Sequence, residues 1–265
     1  MSREIILPDV KCELWHDNFQ NHRRYNIPPA QLIIADIPYN IGGNFYASRP
    51  EWYVDGDNAN GESNKARKAA FNTDYSFNIA EFMHFASRLL KKEPAKGEKD
   101  APCMIVFCAF QQIPIVLEQA EKYGFKKYQF LVFTKKSSPQ VLKANMRIVG
   151  ATEYALVLYR NKLPKFRNID ADGKRHMIFD HFDWVRDGKE IPRIHTSQKP
   201  LSVLKRLIEI FTDPGDVVID PCAGSGSTLR AARELGRHSY GFEVSRDFYT
   251  KACEQMLGGV TNDKT

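Results

Sequence analysis

Apolar runs of strand length recur along this chain, separated by polar turns and by stretches whose apolar residues repeat at helical spacing. Val10 to Trp15 alternates and runs into His16-Asp17-Asn18, which predicts a short strand ending at Asp17. Gln31 to Ala35 does not alternate, as expected of a strand buried on both faces, and the run ends in Asp36. Cys103 to Phe110 is a second continuous apolar strand, and Tyr128 to Phe133, Glu153 to Tyr159, Val217 to Asp220 and His238 to Phe242 read as further strands. Ser76 is placed to cap a helix carrying Ile79, Phe82, Met83, Ala86 and Leu90 on one face. Pro114 opens the next helix and Gly124 closes it. Leu201, Leu204, Leu207, Ile208 and Phe211 mark another, stopped by Asp213-Pro214-Gly215-Asp216, and a last one closes near Gly236. Strands alternating with helices in this way predict an α/β fold.

Two stretches break the pattern. Residues 41–74 are rich in Gly, Asn, Ser and charge and hold Arg49, Trp52, Tyr53, Lys65, Arg67 and Lys68; a loop of this length is a mobile lid or a partly disordered insertion. From Arg160 to Arg193, cations alternate irregularly with the rings of Phe166, Phe179, Phe182 and Trp184. That mixture suits contact with a nucleic-acid backbone, the plainer alternative being a decorated surface excursion. The linker from Lys135-Lys136 to Arg147 is basic as well.

Composition narrows the classes. A length of 265 residues suits one large α/β domain, or one domain with a substantial insertion. A formal charge of +6 favours a polyanionic partner. Cys12, Cys103, Cys108, Cys222 and Cys253 form no CxxC pair and no His/Cys metal spacing, which predicts free thiols rather than disulfides or zinc. The N-terminal MSREIILPDVK lacks the basic-then-apolar build of a signal peptide, and no apolar run approaches the roughly 18 residues of a membrane span. A cytoplasmic protein with no membrane partner is expected.

Candidate chemistry gathers where strands end. In an open α/β sheet, ligands bind in the crevice beyond the carboxyl ends of the strands. Asp36-Ile37-Pro38-Tyr39 puts a carboxylate and a ring there on a turn stiffened by Pro38, an arrangement suited to a flat ligand bearing an amine. Val217 to Asp220, the loop Pro221-Cys222-Ala223-Gly224-Ser225-Gly226, a helix and a strand stopping at Glu243 make a nucleotide-binding βαβ unit. Leu229 stands where a dinucleotide fingerprint wants a third glycine, and no lysine follows Gly226 as a phosphate loop requires. An adenosine ligand without a pyrophosphate remains, and S-adenosylmethionine is the common one. Its cationic groups favour Asp36 and Asp220 as neighbours, and its carboxylate suits backbone N–H groups and Thr196 or Gln198.

The DIPY turn, the turn His195-Thr196-Ser197-Gln198-Lys199-Pro200 and the DPCAGSGST loop, in this order, resemble the β-class DNA amino-methyltransferases. The likeness runs from about Val10 to Leu257 and implies a Rossmann-like methyltransferase fold with permuted motif order, its sheet seven-stranded and mostly parallel with helices on both faces. It implies residues 1–160 as a catalytic half with insertion 41–74, residues 161–194 as a target-recognition segment, and residues 195–265 as the cofactor half of the same domain. In that family the catalytic turn corresponds to Asp36, Ile37, Pro38 and Tyr39. Asp36 and the Ile37 carbonyl would accept the hydrogens of a base's exocyclic amine, and Tyr39 would stack on the base; Ile37 stands where the family usually has proline. The cofactor would meet Asp17, Asp36, His195, Thr196, Ser197, Gln198, Lys199, Asp220, Pro221, Cys222, Ala223, Gly224, Ser225, Gly226, Glu243 and Val244. Double-stranded DNA would meet Lys135, Lys136, Lys165, Arg167, Lys174 and Arg175. In that family an aspartate first in the tetrapeptide goes with adenine N6, N4-cytosine being the runner-up, and a base stacked in a duplex would have to be flipped out to react. A catalytically idle DNA-binding relative, and methylation of RNA or of a protein glutamine, are the other readings. The sequence leaves open whether the chain forms a homodimer or works beside a restriction endonuclease.

Overall fold

The computed structural model describes residues 10–39, 77–136, 141–143, 148–170, 172–195 and 197–258; insertion 41–74, Ser76 and Thr196 lie outside them. In chain order the elements are β1 (Cys12–Trp15), β2 (Leu32–Asp36), α1 (Ile79–Leu89), β3 (Cys103–Cys108), α2 (Ile113–Lys122), β4 (Lys127–Lys135), β5 (Val141–Lys143), β6 (Ile148–Val149), β7 (Thr152–Tyr159), β8 (His181–Trp184), α3 (Leu201–Phe211), β9 (Val217–Asp220), α4 (Ser227–Glu234), β10 (His238–Phe242) and α5 (Arg246–Lys251). The main sheet has eight strands in the order β1-β10-β9-β2-β3-β7-β4-β8, and β5 pairs with β6 apart from it. Neighbours pair in parallel except on either side of β7, which runs against β3 and β4.

The expected seven-stranded sheet is therefore corrected to eight. The extra strand is β8, inside the aperiodic stretch, and it pairs in parallel with the end of β4 from Val132↔His181 to Lys135↔Trp184. It has only four residues, in which the partly buried Phe182 and Trp184 alternate with the exposed His181 and Asp183. So brief an alternation is lost among charged neighbours. The N-cap of α1 also moves: Asn78, not Ser76, accepts the Ala80 and Glu81 N–H groups with its side chain.

Burial explains why the central strands are apolar throughout. Along β2, Ile33 and Ala35 join one core with Phe82, Met83 and Phe85 of α1 and Val116 of α2. Leu32 and Ile34 face the other way, toward Leu204, Leu207 and Ile208 of α3 and Ala231 of α4. Removing a side chain such as Phe82 or Leu207 from either layer forfeits about 2–5 kcal/mol. No described helix is long and apolar enough to cross a membrane.

This layout positions the site. The chain leaves β2 for β3 on one side and leaves β9 for β10 on the other, although β2 and β9 pair side by side with Ile33 opposite Ile219. Their carboxyl tips thus flank the point where the winding reverses, the place where such sheets open a crevice.

Candidate active site

Both tips carry acids, Asp36 on β2 and Asp220 on β9, and a cavity of about 300 Å³ lies beside them. The loop after β9 is tied down by backbone: Ala223 N–H donates to Phe242 O at 2.9 Å, and Gly226 N–H donates to Ala223 O at 2.7 Å. Gly224 and Gly226 have φ of 50° and 77°, so the loop needs glycine at both. A Cβ on Gly224 would meet only Cys222 O, at 3.9 Å, so this backbone stays open to a close ligand. A Cβ on Gly226 would instead meet Ala252 Cβ at 3.4 Å. Gly226 belongs to the packing beneath the loop and is not among the cavity-lining residues, which corrects its expected contact with a cofactor. The glycine missing at position 229 has a counterpart in β10: a Cβ on Gly241 would come within 2.8 Å of Leu229 Cδ1. The close approach of α4 to the sheet is therefore permitted from the strand side.

Glu243 accepts from Gly224 N–H at 2.8 Å with one oxygen and from Ser245 N–H at 2.6 Å with the other, joining the loop to the start of α5. Burial pushes its pKa up, against the hydrogen bonds from Ser245 and Gly224. Asp220 accepts from Cys222 N–H at 3.0 Å. Its pKa is pushed up to about 7, chiefly by burial, with Asp36 and Glu243 adding to the effect and Thr228 and Cys222 opposing it. No cation neutralises Asp220 among its main influences, so a cationic ligand here would restore its charge.

The turn after β2 is held from below. Ile37 N–H donates to Phe107 O at 3.2 Å. Gln112 Nε2 donates to Pro38 O at 2.8 Å, while Gln112 Oε1 accepts from Ala109 N–H at 3.0 Å. Tyr39 Oη donates to Glu153 Oε2 at 2.8 Å, and Lys135 is ion-paired with the other Glu153 oxygen. Burial works against the Glu153 carboxylate, but the charges of Lys199 and Lys135 and the hydrogen bonds from Lys135 and Tyr39 bring its pKa below the ordinary value. Burial, and then the Glu153 charge, push the Tyr39 phenol well up. Asp36 Oδ2 is ion-paired with the buried Lys199, whereas Oδ1 is buried with no hydrogen-bond partner among the described residues. Burial raises the Asp36 pKa and Lys199 opposes that rise.

Most of the expected residues meet at this cavity. Asp36, Ile37, Pro38, Tyr39, His195, Ser197, Gln198, Lys199, Asp220, Pro221, Cys222, Ala223, Gly224, Ser225, Glu243 and Val244 all line it. His195 packs edge-on against Phe248 at 4.7 Å, and burial, with Lys199 nearby, lowers its pKa to about 4. Gln198 braces its own turn, accepting from Ile194 N–H and donating to Pro192 O.

Three expected contacts are corrected. Asp17 is absent from the lining: its oxygens accept from Asn18 N–H at 2.7 Å, Asn21 Nδ2 at 2.7 Å and Tyr25 Oη at 2.8 Å, and its neighbours Asn18, Phe19 and Gln20 face the cavity instead. Lys165 and Arg167 are not offered to DNA. Lys165 is buried and pairs with Asp213 at 2.7 Å and Asp216 at 2.6 Å; Arg167 bridges Asp100 at 2.6 Å and Asp213 at 2.8 Å. Asp100 precedes β3 and Asp216 precedes β9, so this network closes the end of the sheet opposite the cavity. Lys135 is largely buried in its pair with Glu153, while Lys136, Lys174 and Arg175 are exposed. Sequence reasoning missed Gln112 and Glu153, each of which acts through a contact distant in the chain.

A family model described as DNA methylase matches residues 30–254. The chain is 28% identical to the DNA adenine methyltransferase YhdJ of Escherichia coli over 272 residues, 96% of this chain and 83% of that one. It spans 64%, 23% and 56% of the length of three other curated methylases that it matches. The fold is similar to that of the M1.HpyAVI–SAM complex, with a TM-score of 0.62, 20% identity, and coverage of 92% of this chain and 98% of that one. It is also similar to the cytosine-N4-specific PvuII DNA methyltransferase, with a TM-score of 0.61, 14% identity, and coverage of 95% and 87%.

Proposed function

The chain belongs to the N6/N4 DNA methylase family, and we propose that it transfers a methyl group from S-adenosylmethionine to the N6 amine of adenine in double-stranded DNA. The observation that carries this reading is the pair of strand tips. Asp36, with one oxygen unpartnered among the described residues, and the loop after Asp220 open onto one cavity. The residues present fit the methyl donor: Gly224 leaves backbone exposed, and the buried acids Asp220 and Glu243, whose charge burial disfavours, suit its positive charge. S-adenosylmethionine supplies an electrophilic methyl group on a sulfonium.

The chain's own residues would do the rest. An aromatic amine is a poor nucleophile because its lone pair is delocalised into the ring. Asp36 Oδ1 and the Ile37 carbonyl, as acceptors, would favour the pyramidal amine and free that lone pair. Tyr39, anchored by Glu153, would stack on the base, which must leave the duplex to reach it. Such stacking contributes about 1–3 kcal/mol and offsets part of the unstacking cost. Fixed donors and acceptors of this kind act by positioning and electrostatics. On this reading residues 1–160 and 195–265 are the amine-binding and cofactor halves of one domain. Residues 161–194 contribute to target recognition, with Lys136, Lys174 and Arg175 as the exposed cations that meet phosphates.

Adenine is favoured by Asp36 at the head of the tetrapeptide and by the likeness to YhdJ. N4-cytosine is the second reading, since the family takes in both amines and PvuII acts on cytosine. Methyl transfer from labelled cofactor to mixed duplex DNA, followed by mass spectrometry of the nucleosides, should yield N6-methyladenine. Asp36→Ala should lower the rate more than about a hundredfold while the cofactor still binds. Only N4-methylcytosine in the digest would overturn the choice of base, and counts no higher than the Asp36→Ala control would leave a DNA-binding protein.

A further inference from the structure

Lys199 stands out as a buried cation that the transfer reaction, as derived above, leaves without a task. Its side chain is 6% exposed; among the described residues it is ion-paired with Asp36 Oδ2, Ser197 O lies at 3.5 Å, and its charge also acts on Glu153 without a hydrogen bond. Around the ammonium stand three rings, with centroids at 5.3 Å (Phe107), 5.6 Å (Tyr39) and 5.7 Å (Trp184). They come from three separate places: β3, the turn after β2, and β8. Rings attract the cation through their faces and keep water from it, but they accept no full hydrogen bond. An ammonium so poorly solvated is costly to bury, and pairing it with a carboxylate offsets that cost only in part.

Its partner shows what the pairing can do. The two oxygens of Asp36 are divided: Oδ2 is taken by Lys199, and Oδ1 has no partner among the described residues. We propose that Lys199 is a positioning residue, the fixed counter-charge on one oxygen of Asp36 that leaves the other to accept the target amine. This rests on the methyltransferase reading and differs from the expectation that Lys199 meets the methionine end of the cofactor. Asp36 needs such help, because burial and the nearby acids oppose its charge and, besides Lys199, Lys135 gives it only weaker support. Asp220 on the adjacent β9 and Glu153 on β7 are acids, Cys108 and Tyr39 are neutral, and Lys135 on β4 is already paired with Glu153. Trp184, with Lys135 Nζ 4.9 Å and Lys199 Nζ 5.7 Å from its ring, forms one wall of the cage.

The test follows the Asp36 carboxyl by ¹³C NMR through a pH titration, with Asp36→Asn assigning the signal. In Lys199→Met the midpoint should rise by at least about one pH unit, and in Lys199→Arg it should stay within that interval of the wild type. The acidic limb of kcat/KM should move with it, so that Lys199→Met loses about tenfold or more at pH below that limb and recovers as pH rises above it. Cofactor affinity should change far less. Lys199→Gln carries the same test if the methionine variant does not fold. An unmoved Asp36 midpoint would overturn the proposal, as would weakened cofactor binding with kcat intact. Absence of transfer by the wild type alongside a moved midpoint would remove the methyltransferase reading and leave the Lys199–Asp36 pairing standing.

Discussion

Replacing Asp220 by asparagine tests the electrostatics of the cofactor crevice without changing its shape. Burial at the end of β9 lifts this carboxyl from its ordinary 3.8 to about 7. The sign follows from linkage: above pH 3.8 the unfolded chain gives up this proton while the folded protein keeps it, so the native state loses stability as pH rises toward 7. At about 1.4 kcal/mol per pH unit, the penalty is about 2 kcal/mol near pH 5 and about 4 kcal/mol near pH 8. The side-chain amide introduced by Asp220→Asn keeps an oxygen for Cys222 N–H but carries no charge. Any cost of misplacing that amide is the same at both pH values and cancels in the comparison. Urea unfolding of both proteins should therefore show the variant gaining on the wild type by about 2 kcal/mol between these pH values. The same substitution should weaken S-adenosylmethionine binding, and wild-type affinity should tighten as pH rises through about 7 and Asp220 ionises. A stability difference equal at both pH values would refute the burial argument, and unchanged affinity would remove Asp220 from the cofactor site.

Two further expectations concern the frame around the site. Lys165→Met leaves Asp213 to Arg167 and Asp216 to Lys91 alone and should cost about 1–3 kcal/mol of stability, with cofactor and DNA affinity of the folded fraction unchanged. Because burial is outweighed at both acids by hydrogen bonds and nearby cations that lower their pKa values, this support should fade as pH falls through the carboxylate range; weaker DNA binding at full stability would instead return Lys165 to the DNA surface. Gly241→Ala forces a methyl group against Leu229 and should cost about 1–3 kcal/mol, with Leu229→Val recovering part of it in the double variant; strictly additive losses in thermal unfolding would show that the two do not share a contact.

Patterns confined to neighbouring residues are legible in the sequence alone. Uninterrupted apolar runs in β2 and β3, the helical period of α3, and glycines at positive φ in the loop after β9 are local requirements, and each element lies where the pattern puts it. The two acidic strand tips are legible too, because a carboxylate ending a buried strand already tells which end of the sheet it occupies. Pairing is not. Lys199 reaches Asp36 across 163 residues of sequence, and Tyr39 reaches Glu153 across 114. A formal charge of +6 says nothing of which cations are spent, so Lys165 and Arg167, part of a basic stretch in the sequence, turn out to close the far end of the sheet. Asp17 looks alike whether it faces a ligand or caps its own loop; the positions of Asn21 and Tyr25 decide it. Local propensity thus determined the main strands and helices and the end of the sheet at which chemistry gathers, while the short strand β8 escaped it. Tertiary packing decided which charges were neutralised and which single oxygen of Asp36 was left without a partner among the described residues, because burial and pairing depend on what the fold brings alongside.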